Sequence, residues 1–185
     1  IGSHIVEYFF HKYKKSKIYV LDKITYAANI NNLIEIKNSK RVKIFKKNIL
    51  NFKDVKKITS NSDLVVHAAA ESHVDNSFRL NDDFVMTNVL GTKNVMQACK
   101  ENRVKKILHI STDEIYGEIF RGSFNETDRF NPSNPYSSSK AAAEMIVNGY
   151  IHSYKLPVII VRANNIFGIR QHPEKLISGC CWSFI

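Results

Sequence analysis

Apolar positions change period repeatedly along the chain. From 1 to 15 they fall at Ile1, Ile5, Tyr8, Phe9 and Tyr13, the spacing of one helical face. A compact run, Ile18-Tyr19-Val20-Leu21, stops at Asp22 and predicts a buried strand. The same reading gives a short helix over 31–38, a strand over 42–46, a helix over 52–59 and a strand over 63–69. A long helix follows over 82–102, with Phe84, Met86, Val89, Leu90, Val95, Met96 and Cys99 as its core face. A strand over 106–111, a polar loop over 118–134, a helix over 135–154 and a strand over 158–162 complete the series. Alternating strands and helices, with β-branched strands, predict an α/β domain around a parallel sheet. The long loop before Tyr136 is the exception, and connections of that length often carry function.

Hydrophobic residues make up 44% of the 185 positions and charged residues 24%, which excludes a disordered chain. Apolar runs such as 64–70, itself broken by His67, fall far short of the roughly 20 residues of a membrane-spanning helix, so no membrane association is expected. Three cysteines, two of them adjacent at Cys180 and Cys181, cannot build a disulfide framework or a Cys-x-x-Cys zinc site. A reducing, cytoplasmic setting and no metal are therefore expected. The 27 Lys and Arg against 17 Asp and Glu leave a formal charge of +10. These lysines are scattered and not interleaved with aromatics. We read them as solubilising surface that favours a phosphate ligand, not as a nucleic-acid site.

Five segments carry candidate chemistry. Gly2 opens a helix and Asp22 ends the next strand, the separation at which dinucleotide folds place a ribose-binding acid. An ordinary helix start and turn acid would look the same. Tyr136 and Lys140 lie four apart on one helix face. The ammonium would lower the phenol pKa and fit it to take a sugar hydroxyl proton. Ser111-Thr112-Asp113-Glu114-Ile115-Tyr116-Gly117 follows a buried strand, where open α/β sheets bind ligands. Its adjacent carboxyls are either a solvated turn or an acid and a base with separated pKa values. Ala68-Ala69-Ala70-Glu71-Ser72-His73 offers small residues for close approach of a cofactor, and we read His73 as a structural loop histidine. Arg162-Ala163-Asn164-Asn165 supplies amides at another strand end, suited to neutral ligand groups.

In this order, the segments resemble the extended short-chain dehydrogenase/reductases. They resemble most closely the nucleotide-sugar 4,6-dehydratases of the dTDP-glucose 4,6-dehydratase type. The resemblance rests on Asp22-Lys23-Ile24-Thr25-Tyr26-Ala27, Ala69-Ala70-Glu71-Ser72-His73-Val74-Asp75, the 111–117 motif, Asn134-Pro135-Tyr136-Ser137-Ser138-Ser139-Lys140 and His172-Pro173-Glu174-Lys175-Leu176-Ile177. It implies a Rossmann-like doubly wound parallel sheet and an NAD-dependent hydro-lyase that turns a nucleotide-activated glucose into the 4-keto-6-deoxy sugar. Tyr136, Lys140, Thr112, Asp113 and Glu114 would be catalytic. Tyr136 would act at the 4-hydroxyl, Glu114 would remove the carbon-5 proton and Asp113 would protonate the departing 6-hydroxyl. The resemblance places Gly2, Asp22, Lys23, Thr25, Asn48, Ile49, Ala69, Ala70, Thr87, Tyr136, Lys140 and Asn165 at NAD. It places Ser72, Thr112 and Asn164 at the sugar nucleotide. Asn48-Ile49 stands where the family has Asp-Ile. Relatives pair as homodimers through helices matching 82–102 and 135–154. An epimerase or reductase on the same scaffold, or a non-catalytic fragment, are the alternatives.

The chain starts at Ile1 and not Met, and 178–185 departs from the family pattern. Both ends read as cut. The expectation is an incomplete NAD-binding Rossmann domain over 1–177, lacking its first strand and the C-terminal substrate domain, with a divergent tail over 178–185. In the strand order 3-2-1-4-5-6 the first strand is central. Its loss would leave two unpaired edges and a slot, so these residues alone are expected to be inactive and poorly stable.

Overall fold

A computed structural model describes residues 1–174. Residues 175–185, including Lys175-Leu176-Ile177 and the 178–185 tail, lie outside the described residues. Helix α1 (Gly2–Lys12) leads to β1 (Ile18–Asp22), a 3-10 turn (Ile30–Leu33), β2 (Val42–Lys46), α2 (Phe52–Thr59) and β3 (Leu64–His67). Helix α3 (Val74–Arg79) ends at Leu80, after which α4 (Asn81–Phe84), a π-helical segment (Val85–Gly91) and α5 (Thr92–Glu101) form one helical run. Strand β4 (Lys106–Thr112), a 3-10 turn (Asp113–Tyr116), α6 (Pro135–Tyr154) and β5 (Val158–Ala163) follow.

All pairing is parallel, in two separate sheets ordered β1-β2 and β3-β4-β5. Among the described residues no strand lies between β1 and β3, so each pairs on one side only. A cleft of about 1210 Å³ opens there, lined by Val20 and Leu21 of β1 and Val65 and Val66 of β3. This is the slot expected from the sequence. Two apolar clusters reflect the split. Leu33, Ile36 and Val42 gather Val6, Phe10 and Val20 around the smaller sheet. Val55, Val95, Met96, Ile107, Val147 and Leu156 join α2, α5 and α6 to the larger one. Burying one such side chain contributes about 1.5–3 kcal/mol.

The 52–59 and 135–154 helices fall on their expected bounds because their ends are written in the sequence. Asn51 accepts from the Asp54 amide at the start of α2. Asn134 and Ser137 form a capping box before α6, with Pro135 in its first turn. The left-handed Lys155 (φ 54°) ends α6 just ahead of Pro157.

Four expectations need correction. The 31–38 helix is only a 3-10 turn over Ile30–Leu33, started by the Asn29 side chain on the Asn31 amide. The 63–69 strand stops at His67, since the alanines beyond it leave the sheet. Helix α3 was not anticipated. The long helix over 82–102 is interrupted by the π segment, which turns Asn88 inward and leaves Met86 and Leu90 exposed, not in the core. At Gly91 an added Cβ would press on the end of the Ile49 side chain, which would have to shift. Among the described residues, no helix is long and apolar enough to cross a membrane.

Candidate active site

The site forms where β4 and β5 end and α6 begins. Ser111 pairs with Arg162 and Thr112 with Ala163, so Asn164 and Asn165 leave β5 beside the turn carrying Asp113 and Glu114. Thr112 starts that turn. Its hydroxyl accepts from the Glu114 amide at 3.3 Å and lies 3.3 Å from Asp113 Oδ1. The turn closes at Gly117 (φ 85°), where a Cβ would collide with the Asn131 carbonyl. Only glycine fits this junction between the carboxyls and the long loop.

Tyr136 lies in the first turn of α6, buried, with the Phe84 ring edge-on at 6.3 Å. Its phenol is pushed up to about 12, first by burial, then by Glu114 and Asp113, against a hydrogen bond with Thr112. The phenol, the threonine and both carboxyls thus share one crevice. The sequence argument had the ammonium of Lys140 lowering this pKa. In the structure the shift is upward, because burial and the neighbouring Glu114 and Asp113 outweigh the hydrogen bond with Thr112, while Lys140 Nζ donates to the Ile110 carbonyl at 2.7 Å. Burial lowers Lys140 itself to about 8, against the pull of Glu144.

Asn88 in the π segment ties the loop after β3 to this helix. Its side chain accepts from the Glu71 amide at 2.9 Å and donates to the Glu71 carbonyl at 3.0 Å and to Ser139 Oγ at 2.8 Å. Ser139 in turn donates to the Tyr136 carbonyl at 2.7 Å. A π turn within a helix is a common device at functional sites. Ala70 and Ser72 flank the clamped Glu71, and Thr87 sits in the π segment itself.

Some of the other candidate positions reach the cleft. Gly2, Asp22 and Ala69 line it. Asp22 accepts from the Ile24 amide at 2.7 Å, in a turn where Ile24 is left-handed (φ 56°). Lys23 faces Glu71 across the gap. Burial raises the Glu71 pKa while Lys23 opposes the rise. Thr25 follows in the same loop, and Tyr26 there is bound to both Asn76 and Glu174. Asn48 accepts from the Leu50 amide at 2.9 Å, which leaves its NH₂ group for a ligand. Ile49 packs into the core with its carbonyl on Asn94, and it also lines the cleft. His73 meets the Glu174 carbonyl at 3.1 Å, a contact that joins loops.

Sequence reasoning passed over Asn88, Ser139, Glu144 and the guanidinium of Arg162. A signal existed for Glu144, a lone charge among Ala141, Ala142, Ala143 and Met145. No local pattern marked Asn88, whose inward turn comes from the π segment.

Residues 1–181 match the GDP-mannose 4,6-dehydratase family model. A dTDP-D-glucose 4,6-dehydratase of Dictyostelium discoideum is 45% identical over 190 residues, covering 96% of this chain and 44% of that protein. The human protein described as dTDP-D-glucose 4,6-dehydratase is 41% identical, with 96% and 51% covered. A crystal structure of dTDP-glucose 4,6-dehydratase from Streptomyces venezuelae, with NAD bound, superposes with a TM-score of 0.96 at 35% identity, covering 99% of this chain and 58% of that one. The chain therefore spans about half the length of the relatives it matches. With its parallel sheets and the match running through the whole described crevice, the chain belongs to the GDP-mannose 4,6-dehydratase family.

Proposed function

We propose that the protein carrying these residues is an NAD-dependent nucleotide-sugar 4,6-dehydratase, a hydro-lyase acting on dTDP-glucose or UDP-glucose. The observation that carries this reading is the convergence of Tyr136, Thr112, Asp113 and Glu114 on one crevice. An epimerase needs the phenol, whereas loss of water also needs a separate base and acid. The adjacent carboxyls meet that need.

The residues present fit NAD. The cleft has a carboxylate at the end of β1 for ribose hydroxyls and small residues at Ala68 and Ala69 for close approach, and Lys140 is held at the Ile110 carbonyl of β4. Asp22, Lys23 and Thr25 would hold the adenosine end, with Asn48 beside the adenine. Gly2 would lie under the phosphates at the start of α1. Thr87, Lys140 and Asn165 would hold the nicotinamide side. When bound, NAD supplies the hydride acceptor for carbon 4 and the hydride donor for carbon 6.

Tyr136 takes the proton of the sugar 4-hydroxyl. For this it must be phenolate, a form favoured when Lys140 turns from the Ile110 carbonyl toward the phenol one helical turn away. Thr112 donates a hydrogen bond to the 4-oxygen. The ketone at carbon 4 acidifies the carbon-5 proton, which Glu114 removes. Asp113 gives a proton to the 6-hydroxyl, which leaves as water. Ser72 and Asn164 face the sugar nucleotide.

The test uses protein expressed from the full coding sequence and incubated with dTDP-glucose or UDP-glucose, the 4-keto-6-deoxy product being read by its alkali-induced absorbance. Glu114→Gln is expected to abolish water loss and spare oxidation at carbon 4. Inversion at carbon 4 without water loss would make the protein an epimerase, and no turnover would make it a binding module.

The whole protein is further read as a homodimer. Val85, Met86 and Leu90 on the π segment and Met145 on α6 are exposed apolar side chains. A groove of about 630 Å³ runs between Val85, Val89, Ser138 and Ala142. Sedimentation of Met145→Glu should show monomer where the unaltered protein shows dimer.

A further inference from the structure

A buried acid lies one helical turn beyond Lys140. The Glu144 side chain is 0% exposed, a place where a carboxylate needs close compensation. Arg162 provides it. Its Nε donates to Oε1 at 3.0 Å and to Oε2 at 3.3 Å, and its Nη2 donates to Oε1 at 2.5 Å. Ser111 Oγ completes the set at 2.7 Å from Oε2. The remaining arm, Nη1, donates to the Tyr116 hydroxyl and, at 2.6 Å, to the Glu126 carbonyl. The guanidinium also lies over the rings of Tyr116 and Phe130, 5.1 and 5.0 Å from their centroids.

One side chain thereby joins the end of β5, the middle of α6, the turn bearing Asp113 and Glu114, and the long loop before α6. Tyr136 and Lys140 ride on the helix that Glu144 anchors. The two carboxyls ride on the turn that Tyr116 anchors. The span between phenol and carboxyls is therefore bridged at its far side by a planar fork with five donors, a geometry that lysine cannot reproduce.

We propose that Arg162, acting through Glu144 and Tyr116, is a positioning residue that holds Asp113 and Glu114 at working distance from Tyr136. Its kinetic consequence rests on the dehydratase reading, but the mechanical link does not. Misplacement of reacting groups by about 1 Å costs on the order of 100-fold in rate.

The experiment compares unaltered protein from the full coding sequence with Arg162→Lys, which keeps a cation for Glu144 but loses the fork, and Tyr116→Phe, which keeps the ring stack and removes only the hydroxyl. Both variants are expected to lose about 10- to 100-fold in kcat with KM held within about twofold. Amide hydrogen exchange over 113–130 should quicken about tenfold or more while 92–101 stays unchanged. Unchanged exchange over 113–130 in both variants overturns the inference. So does a loss in which exchange quickens equally everywhere and kcat and KM move together. If Arg162→Lys does not fold, Tyr116→Phe decides alone. If the unaltered protein makes no product, the dehydratase reading fails and the exchange measurement decides the positioning link by itself.

Discussion

Lys140 donates to the Ile110 carbonyl at 2.7 Å, one helical turn from a Tyr136 phenol that burial, Glu114 and Asp113 push up to about 12. In this arrangement the phenol is protonated at neutral pH. In the 185-residue chain, the ultraviolet titration difference between the native sequence and Tyr136→Phe should show a phenolate step only near pH 12. A step near 10 would contradict the burial argument. In the whole protein, Lys140→Met removes the one nearby ammonium on the same helix face. Turnover should fall by on the order of 10²- to 10⁴-fold, the usual worth of a positioned proton acceptor.

His67 and His109 face each other on neighbouring strands, with ring centroids 5.2 Å apart. Burial first, then nearby Lys140, lowers His67 to about 3, and burial, His67 and Lys140 lower His109 to about 2, against an ordinary 6.5. Both are neutral when folded and charged when unfolded at mildly acid pH. Their contribution is fully present above 6.5 and is lost as pH falls toward 3. At pH 5, unfolding should take up about two protons through this pair. His109→Leu should cut that by about one, seen as a shallower fall of Tm between pH 6 and 4. An unchanged slope would show that the rings are not buried as a pair.

Strands β1 and β3 each present one unpaired edge to the same cleft. A peptide of about five to six apolar, β-branched residues is the length and chemistry of a strand. Added in excess, it should raise the Tm of the 185-residue chain, by the logic that a ligand of the folded state stabilises it. The same peptide with a central proline should not, because proline removes a ladder donor. Equal effects from both peptides would point to non-specific apolar binding.

Two glycines differ in how their surroundings can yield. At Gly91 an added Cβ meets the end of the Ile49 side chain, which can move. Gly91→Ala should cost about 1–3 kcal/mol, the usual penalty of overpacking. At Gly117 the obstacle is the backbone carbonyl of Asn131, and φ is 85°. Gly117→Ala should cost more, and should also lower turnover by displacing the adjoining carboxyls. Denaturant unfolding of both variants ranks them. The reverse order would contradict the geometry.

The larger elements were legible because their ends carry their own chemistry, as at Asn51, Asn134 and Pro157. The split sheet was legible from the family strand order alone. The π segment was not. The apolar residues of 82–102 fit a regular helix, and nothing in their spacing marks Asn88, which the π segment turns inward to make three hydrogen bonds. The placement of Tyr136 and Lys140 on one helix was readable from spacing. The direction of the phenol's pKa was not, because spacing says nothing about the burial of the ring or about Glu114 and Asp113 beside it. Arg162 was hidden for a similar reason, since its partners lie 18, 36 and 46 positions away.

The capping box at Asn134 has an effect that reaches past helix stability. By fixing where the first turn of α6 begins, it sets Tyr136 in that turn, at the electropositive end of a 20-residue helix. In the proposed reaction this is the residue that takes the proton, so one amide side chain sets its address on the helix.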